Sequence, residues 1–127
     1  MEKKQRTIKN KVTYEGRGLH TGNLAKITFK PAPVNFGRRF FRTDVKNSPQ
    51  IPAIVDYVVQ DQSIESLRGT TLKKDDVVVH TVEHVLSALV GLEIDNILIE
   101  LSSNEPPIGD GSAMPFVNLL LEAGIEE

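Results

Sequence analysis

The 127-residue sequence contains no cysteine and no tryptophan, and only two tyrosines and five phenylalanines. Without a thiol there can be no disulfide staple, thiolate ligand or cysteine nucleophile, so any metal must be held by His, Asp or Glu. Neither sign of charge dominates: 15 basic against 17 acidic side chains give a formal net charge of −2. That is too weak a field to draw the chain onto nucleic acid or an anionic membrane. No stripe of interleaved basic and aromatic residues offers a nucleic-acid surface either. Nowhere do apolar residues approach the ~18 consecutive positions of a membrane helix. The start, MEKKQRTIKNK, has five basic residues in eleven. No apolar run follows it as in a signal peptide, so it reads as a solvated arm leading into an edge strand. Together these absences point to a cytoplasmic protein with no transmembrane segment and no nucleic-acid partner.

What is present is ordinary for a folded domain: 39% hydrophobic and 25% charged residues, with nine glycines and seven prolines scattered along the chain. The length suits a single domain, residues 1–127, able to bury one core without staples. Up to about residue 72 the sequence reads as short strands broken by turns. KVTYEG and AKITFKP alternate apolar and polar residues, with Ile27 and Phe29 on one face, and the turn-rich GRGLHTG joins them. RRFFRT and IPAIVDYVV are further strand candidates, and KKDD at 73–76 marks an exposed turn. This half is expected to be an antiparallel meander.

The period then changes. In TVEHVLSALVGL, Val82, Val85, Leu86 and Leu89 follow helical spacing and form one apolar stripe, which leaves Glu83, His84 and Ser87 on the other side. DNILIELSS returns to strand alternation, and NEPPIGDGS is a loop. A second helix is expected in AMPFVNLLLEAG, with Pro115 in its first turn and Gly124 as its stop. This order predicts an α+β fold: a two-layer sandwich of a mostly antiparallel sheet with two helices packed on one face.

The chemistry concentrates in HTVEH, residues 80–84. With Thr81 as N-cap, Glu83 and His84 fall in the first helical turn, where the macrodipole favours a carboxylate. A neutral imidazole can bind a metal, and a carboxylate beside it can deprotonate a bound water. The plainer reading is two polar residues on a solvated helix face. His80, Glu83 and His84 also match HxxEH, the inverted zinc-protease motif. That motif needs both histidines on one helix and a third ligand. Here His80 precedes the N-cap, and the third ligand would have to be a carboxylate such as Glu100, Glu105 or Asp110.

Three segments in order, GRGLHTG (16–22), TVEHVLSALVGLEIDNILIE (81–100) and PPIGDGSAMPFV (106–117), closely resemble the UDP-3-O-acyl-N-acetylglucosamine deacetylase family, the zinc enzymes of lipid A biosynthesis in Gram-negative bacteria. The resemblance runs from about Thr7 to the C-terminus and covers the first half of that family's chain. It implies that Glu83 is the catalytic general base and His84 a zinc ligand. It places His20 at the edge of the active site and Asp110 near the catalytic centre. Set against these are a turn residue for His20 and an Asp-Gly turn for Asp110. His80 matches no family ligand. The family's other zinc ligands, a His and an Asp of an HKxxD-type segment, lie in a second homologous domain with the general-acid histidine and the acyl-chain passage. None of these is in the 127 residues.

The chain is therefore expected to be the first of two homologous domains, ending near the interdomain boundary after Gly124. It would hold an incomplete zinc site and be inactive alone. The implied partners are UDP-3-O-acyl-N-acetylglucosamine in the full enzyme and the C-terminal domain, docked on the helix face of Glu83 and His84. Left uncovered, that face would favour a dimer. Two readings from other classes stand beside this one: a non-catalytic docking module, and an HxxEH-type zinc hydrolase with a self-contained site.

Overall fold

A computed structural model describes residues 4–18, 22, 24–59, 70–109 and 111–127. Strands β1 (Thr7–Ile8), β2 (Val12–Arg17), β3 (Leu24–Pro31), β4 (Arg38–Arg42) and β5 (Gln50–Pro52) precede a 3-10 turn at Val55–Tyr57. They are followed by β6 (Leu72–Lys74), β7 (Val77–Val79), α1 (Glu83–Gly91), β8 (Ile97–Leu101), α2 (Met114–Ala123) and β9 (Ile125–Glu126). The main sheet has five strands in the order β2-β3-β8-β4-β5, and β6-β7 and β1-β9 form two small two-stranded pairs.

Strand alternation decides which face of the sheet is dry. In β3, Ala25, Ile27 and Phe29 are buried while Lys26 and Lys30 are not. The register carries this across the sheet, because Val12, Phe29, Ile99, Phe40 and Ile51 stand in one row through all five strands. Residues in one row share a face. Both helices cover that face: Val85, Ala88 and Leu89 of α1, with Phe116, Leu120 and Ala123 of α2, complete the core. Phe116 meets Tyr14 and Phe29 edge-on, each at 6.3 Å between ring centroids. The expected α+β sandwich with two helices on one sheet face is what forms.

Three local expectations change. The first half is not a meander: β8, from beyond α1, inserts between β3 and β4 and runs parallel to β4. Its sequence ILIEL suits that central place, with Ile97, Ile99 and Leu101 fully buried and Leu98 and Glu100 half-buried. IPAIVDYVV is not one strand. It pairs through Pro52, which an edge strand tolerates, and then turns where the Tyr57 N–H donates to the Ile54 carbonyl at 3.1 Å. In α1, Ala88 is buried and Leu86 only half-buried, so the stripe of Val82, Val85 and Leu89 is turned slightly toward Ala88.

Other local rules hold. Pro115 lies in the first turn of α2, where a missing N–H leaves nothing unpaired. Gly124, at φ +85°, closes the helix by donating to Leu120 and Leu121. The N-terminal arm is tied down by β1-β9 pairing and by the Arg6 N–H, which donates to the Asp95 carboxylate at 2.9 Å. Among the described residues no helix is long and apolar enough to cross a membrane.

Candidate functional site

The 104–108 loop, far in sequence from both, meets the end of β2 on one side and the segment leading into α1 on the other. Gly18 bridges Pro107 in antiparallel fashion, and the Ile108 N–H donates to the Arg17 carbonyl at 2.7 Å. Close approach of these backbones needs a small residue. A Cβ placed on Gly16 would stand 3.2 Å from the Pro107 Cβ. From the other side, the His80 N–H donates to the Asn104 carbonyl at 2.7 Å. The 104–108 loop thus links the end of β2 to the segment that leads into α1.

Glu83 and His84 are the first two residues of α1, and both are half-buried, whereas Ser87 one turn on is exposed. The Glu83 carboxylate is oriented by backbone: its Oε1 accepts the Thr70 N–H at 3.2 Å. The Thr70 carbonyl in turn accepts the Val82 N–H at 3.2 Å. Thr70 therefore grips the start of the helix at two points. A carboxylate has about four lone-pair positions, and Thr70 occupies one of those on Glu83. A carboxylate fixed in this way keeps lone pairs free to accept a proton.

Thr81 does not cap the helix. The N-cap is Val82, which has no side-chain cap bond, and Thr81 itself is left-handed at φ +55°. Its hydroxyl instead donates to Glu105 Oε2 at 2.6 Å, between two buried residues. Local pattern could not show this, because an S/T-x-x before an apolar run looks like a cap whatever lies across from it. Glu105 was no more legible, since a glutamate ahead of two prolines in a polar loop gives no local sign of complete burial.

His80 lies before α1, with its Nδ1 3.0 Å from the Thr71 hydroxyl. The two histidines of the HxxEH pattern therefore do not share a helix. Of the carboxylates weighed as its third ligand, Glu100 pairs with Lys30 at 3.1 Å and Glu105 holds Thr81. Among the described residues, no three His, Asp or Glu side chains group as a metal would require. His20 and Asp110 lie outside the described residues.

A family model described as UDP-3-O-acyl N-acetylglycosamine deacetylase matches residues 5–127. The chain is similar to the bifunctional enzyme LpxC/FabZ of Chlorobaculum tepidum. The two are 57% identical over 123 residues, which is 97% of this chain and 25% of that one. It is also similar to the UDP-3-O-acyl-N-acetylglucosamine deacetylase of Coxiella burnetii, at 52% identity over 124 residues, 98% of this chain and 39% of that one. It spans between a quarter and two fifths of the length of these curated relatives.

Proposed function

Because the chain belongs to the UDP-3-O-acyl N-acetylglycosamine deacetylase family, we propose that it forms the part of a zinc-dependent deacetylase that supplies the general base Glu83 and one zinc ligand, His84. The substrate in this reading is UDP-3-O-acyl-N-acetylglucosamine, whose 2-acetamido group is hydrolysed in a cytoplasmic step of lipid A synthesis. The observation that carries the reading is the half-buried Glu83–His84 pair at the start of α1, with the carboxylate oriented by the Thr70 N–H and the preceding residues 80–81 held by Asn104 and Glu105.

A catalytic zinc takes about three protein ligands and keeps one position open. The described donors do not reach that number, so they do not by themselves make up a zinc site. In this reading His84 is one ligand of a site that other parts of a longer protein complete. Glu83 takes the proton of the water that attacks the acetamido carbonyl. A fixed carboxylate performs that transfer without first being reoriented. His20 and Asp110 are assigned to the rim of the same site.

The remainder of the longer protein is assigned to the outer surface of the helix layer. Glu83, Ser87 and Val90 follow one another along α1 at helical spacing, and Val90 is exposed; on α2, Met114 and Leu121 are exposed as well. The exposed apolar side chains Val90, Met114 and Leu121 on the two helices suit a covered surface better than a wet one.

The test is a chimera in which residues 5–127 replace the matching segment of the Coxiella burnetii deacetylase. The chimera is expected to deacetylate UDP-3-O-acyl-N-acetylglucosamine, and Glu83→Gln is expected to lower kcat by about 10²–10⁴-fold, the usual worth of a general base. The 127-residue chain alone is expected to show no turnover. Full turnover in the Glu83→Gln chimera would contradict the assignment of the base.

A further inference from the structure

Glu105 is fully buried, lies beside the segment that carries Glu83 and His84, and has no part in the mechanism above. A buried carboxylate is costly unless it is paired or hydrogen-bonded. Here it accepts the Thr81 hydroxyl at 2.6 Å. Thr81 stands at φ +55°, a conformation that a β-branched residue adopts only when its surroundings impose it. What imposes it is visible. One residue earlier, the His80 N–H is bound to the Asn104 carbonyl at 2.7 Å, so adjacent residues 80 and 81 are pinned to adjacent residues 104 and 105.

The left-handed residue also sets the direction in which the chain enters α1. With Thr81 reversed, Val82 points its N–H at the Thr70 carbonyl, and Glu83 receives the Thr70 N–H. The base is thereby held from both sides, by the 104–105 backbone and side chain through residues 80–81 and by Thr70 directly. We propose that Glu105, acting through Thr81, is a positioning residue for the Glu83–His84 pair. The proposal rests on the functional reading given above. It assigns Glu105 to aiming the helix start and leaves the conversion of substrate to Glu83.

Two readouts test it. In the 127-residue chain, amide hydrogen exchange is followed at Val82, next to the clamp, and at Phe29 in the central sheet. Glu105→Leu and Thr81→Val, which remove the acceptor and the donor in turn, are expected to lower protection at Val82 by about tenfold or more while Phe29 changes by less than about twofold, because local opening is separable from global unfolding. Thr81→Ser, which keeps the hydroxyl, is expected to retain protection at both. Thr81→Gly removes the backbone strain together with the hydroxyl, so it is expected to fold and still to lose protection at Val82.

In the Coxiella burnetii chimera, Glu105→Leu and Thr81→Gly are expected to lower kcat by about 10²-fold with KM nearly unchanged, the signature of a misplaced group and not of lost binding. Thr81→Ser is expected to restore most of that rate. Equal loss of protection at Val82 and Phe29, or no loss at either, would overturn the proposal. A normal kcat in Thr81→Gly beside a depressed kcat in Glu83→Gln would overturn the positioning role alone. Full turnover in Glu83→Gln would instead overturn the functional reading on which it rests.

Discussion

Gly16 and Pro107 are in such close approach that a Cβ on the glycine would stand 3.2 Å from the Pro107 Cβ. The proline cannot readily withdraw, because its neighbours are held to β2 by the Gly18–Pro107 bridge and the Ile108–Arg17 hydrogen bond. Gly16→Val is therefore expected to destabilise the chain by about 1–3 kcal/mol through overpacking, measured by urea denaturation. Gly91, in the last turn of α1, has open space where its Cβ would be. Gly91→Ala is expected to stabilise by about 0.5–1 kcal/mol, as helix propensity predicts.

Gly109 combines two constraints. Its φ is +63°, and a Cβ there would come within 2.8 Å of the Pro115 ring. Gly109→Ala is expected to cost about 2–5 kcal/mol, the sum of left-handed strain and overlap. In a thermal melt the loss should exceed that of Gly37→Ala, because Gly37 has φ +78° and, among the described residues, no neighbour within 4 Å of an added Cβ.

Elements governed by local rules were legible in the sequence. Alternation placed Ile27 and Phe29 on the dry face, and Pro115 and Gly124 bounded α2, because these signals act within a few residues. The parallel neighbour of β4 was not legible, since β8 lies more than fifty residues downstream and its insertion satisfies a sheet-wide row of apolar side chains. At the candidate site the HTVEH residues announced themselves, while the true partner of Thr81 did not. A hydroxyl can cap a helix or bind a distant carboxylate, and only tertiary packing decides which.

Phe116 is the point where both layers are joined, edge-on to Tyr14 and to Phe29. Phe116→Ala is expected to cost about 3–5 kcal/mol, a large share of the 5–15 kcal/mol typical of a domain. Phe116→Leu should cost less, because it leaves a smaller cavity. Guanidinium titrations followed by far-UV circular dichroism would show both shifts in midpoint.

The exposed Val90 and Leu121 predict self-association when nothing else covers the helix layer. Sedimentation velocity of the 127-residue chain is expected to show a dimer that grows with concentration. Val90→Lys with Leu121→Lys is expected to return it to monomer without lowering its melting temperature by more than a few degrees, as for exposed positions generally. A monomer at high concentration would argue against an uncovered docking face.

The most direct measurement is the zinc content of the dialysed 127-residue chain, compared with the Coxiella burnetii chimera and with His84→Ala in each. If the chain supplies one ligand of a shared site, it retains little zinc alone, and the chimera retains about one zinc that His84→Ala removes. If the 127 residues alone hold about one zinc tightly and lose it in His84→Ala, the site is self-contained and the account of a shared centre is wrong.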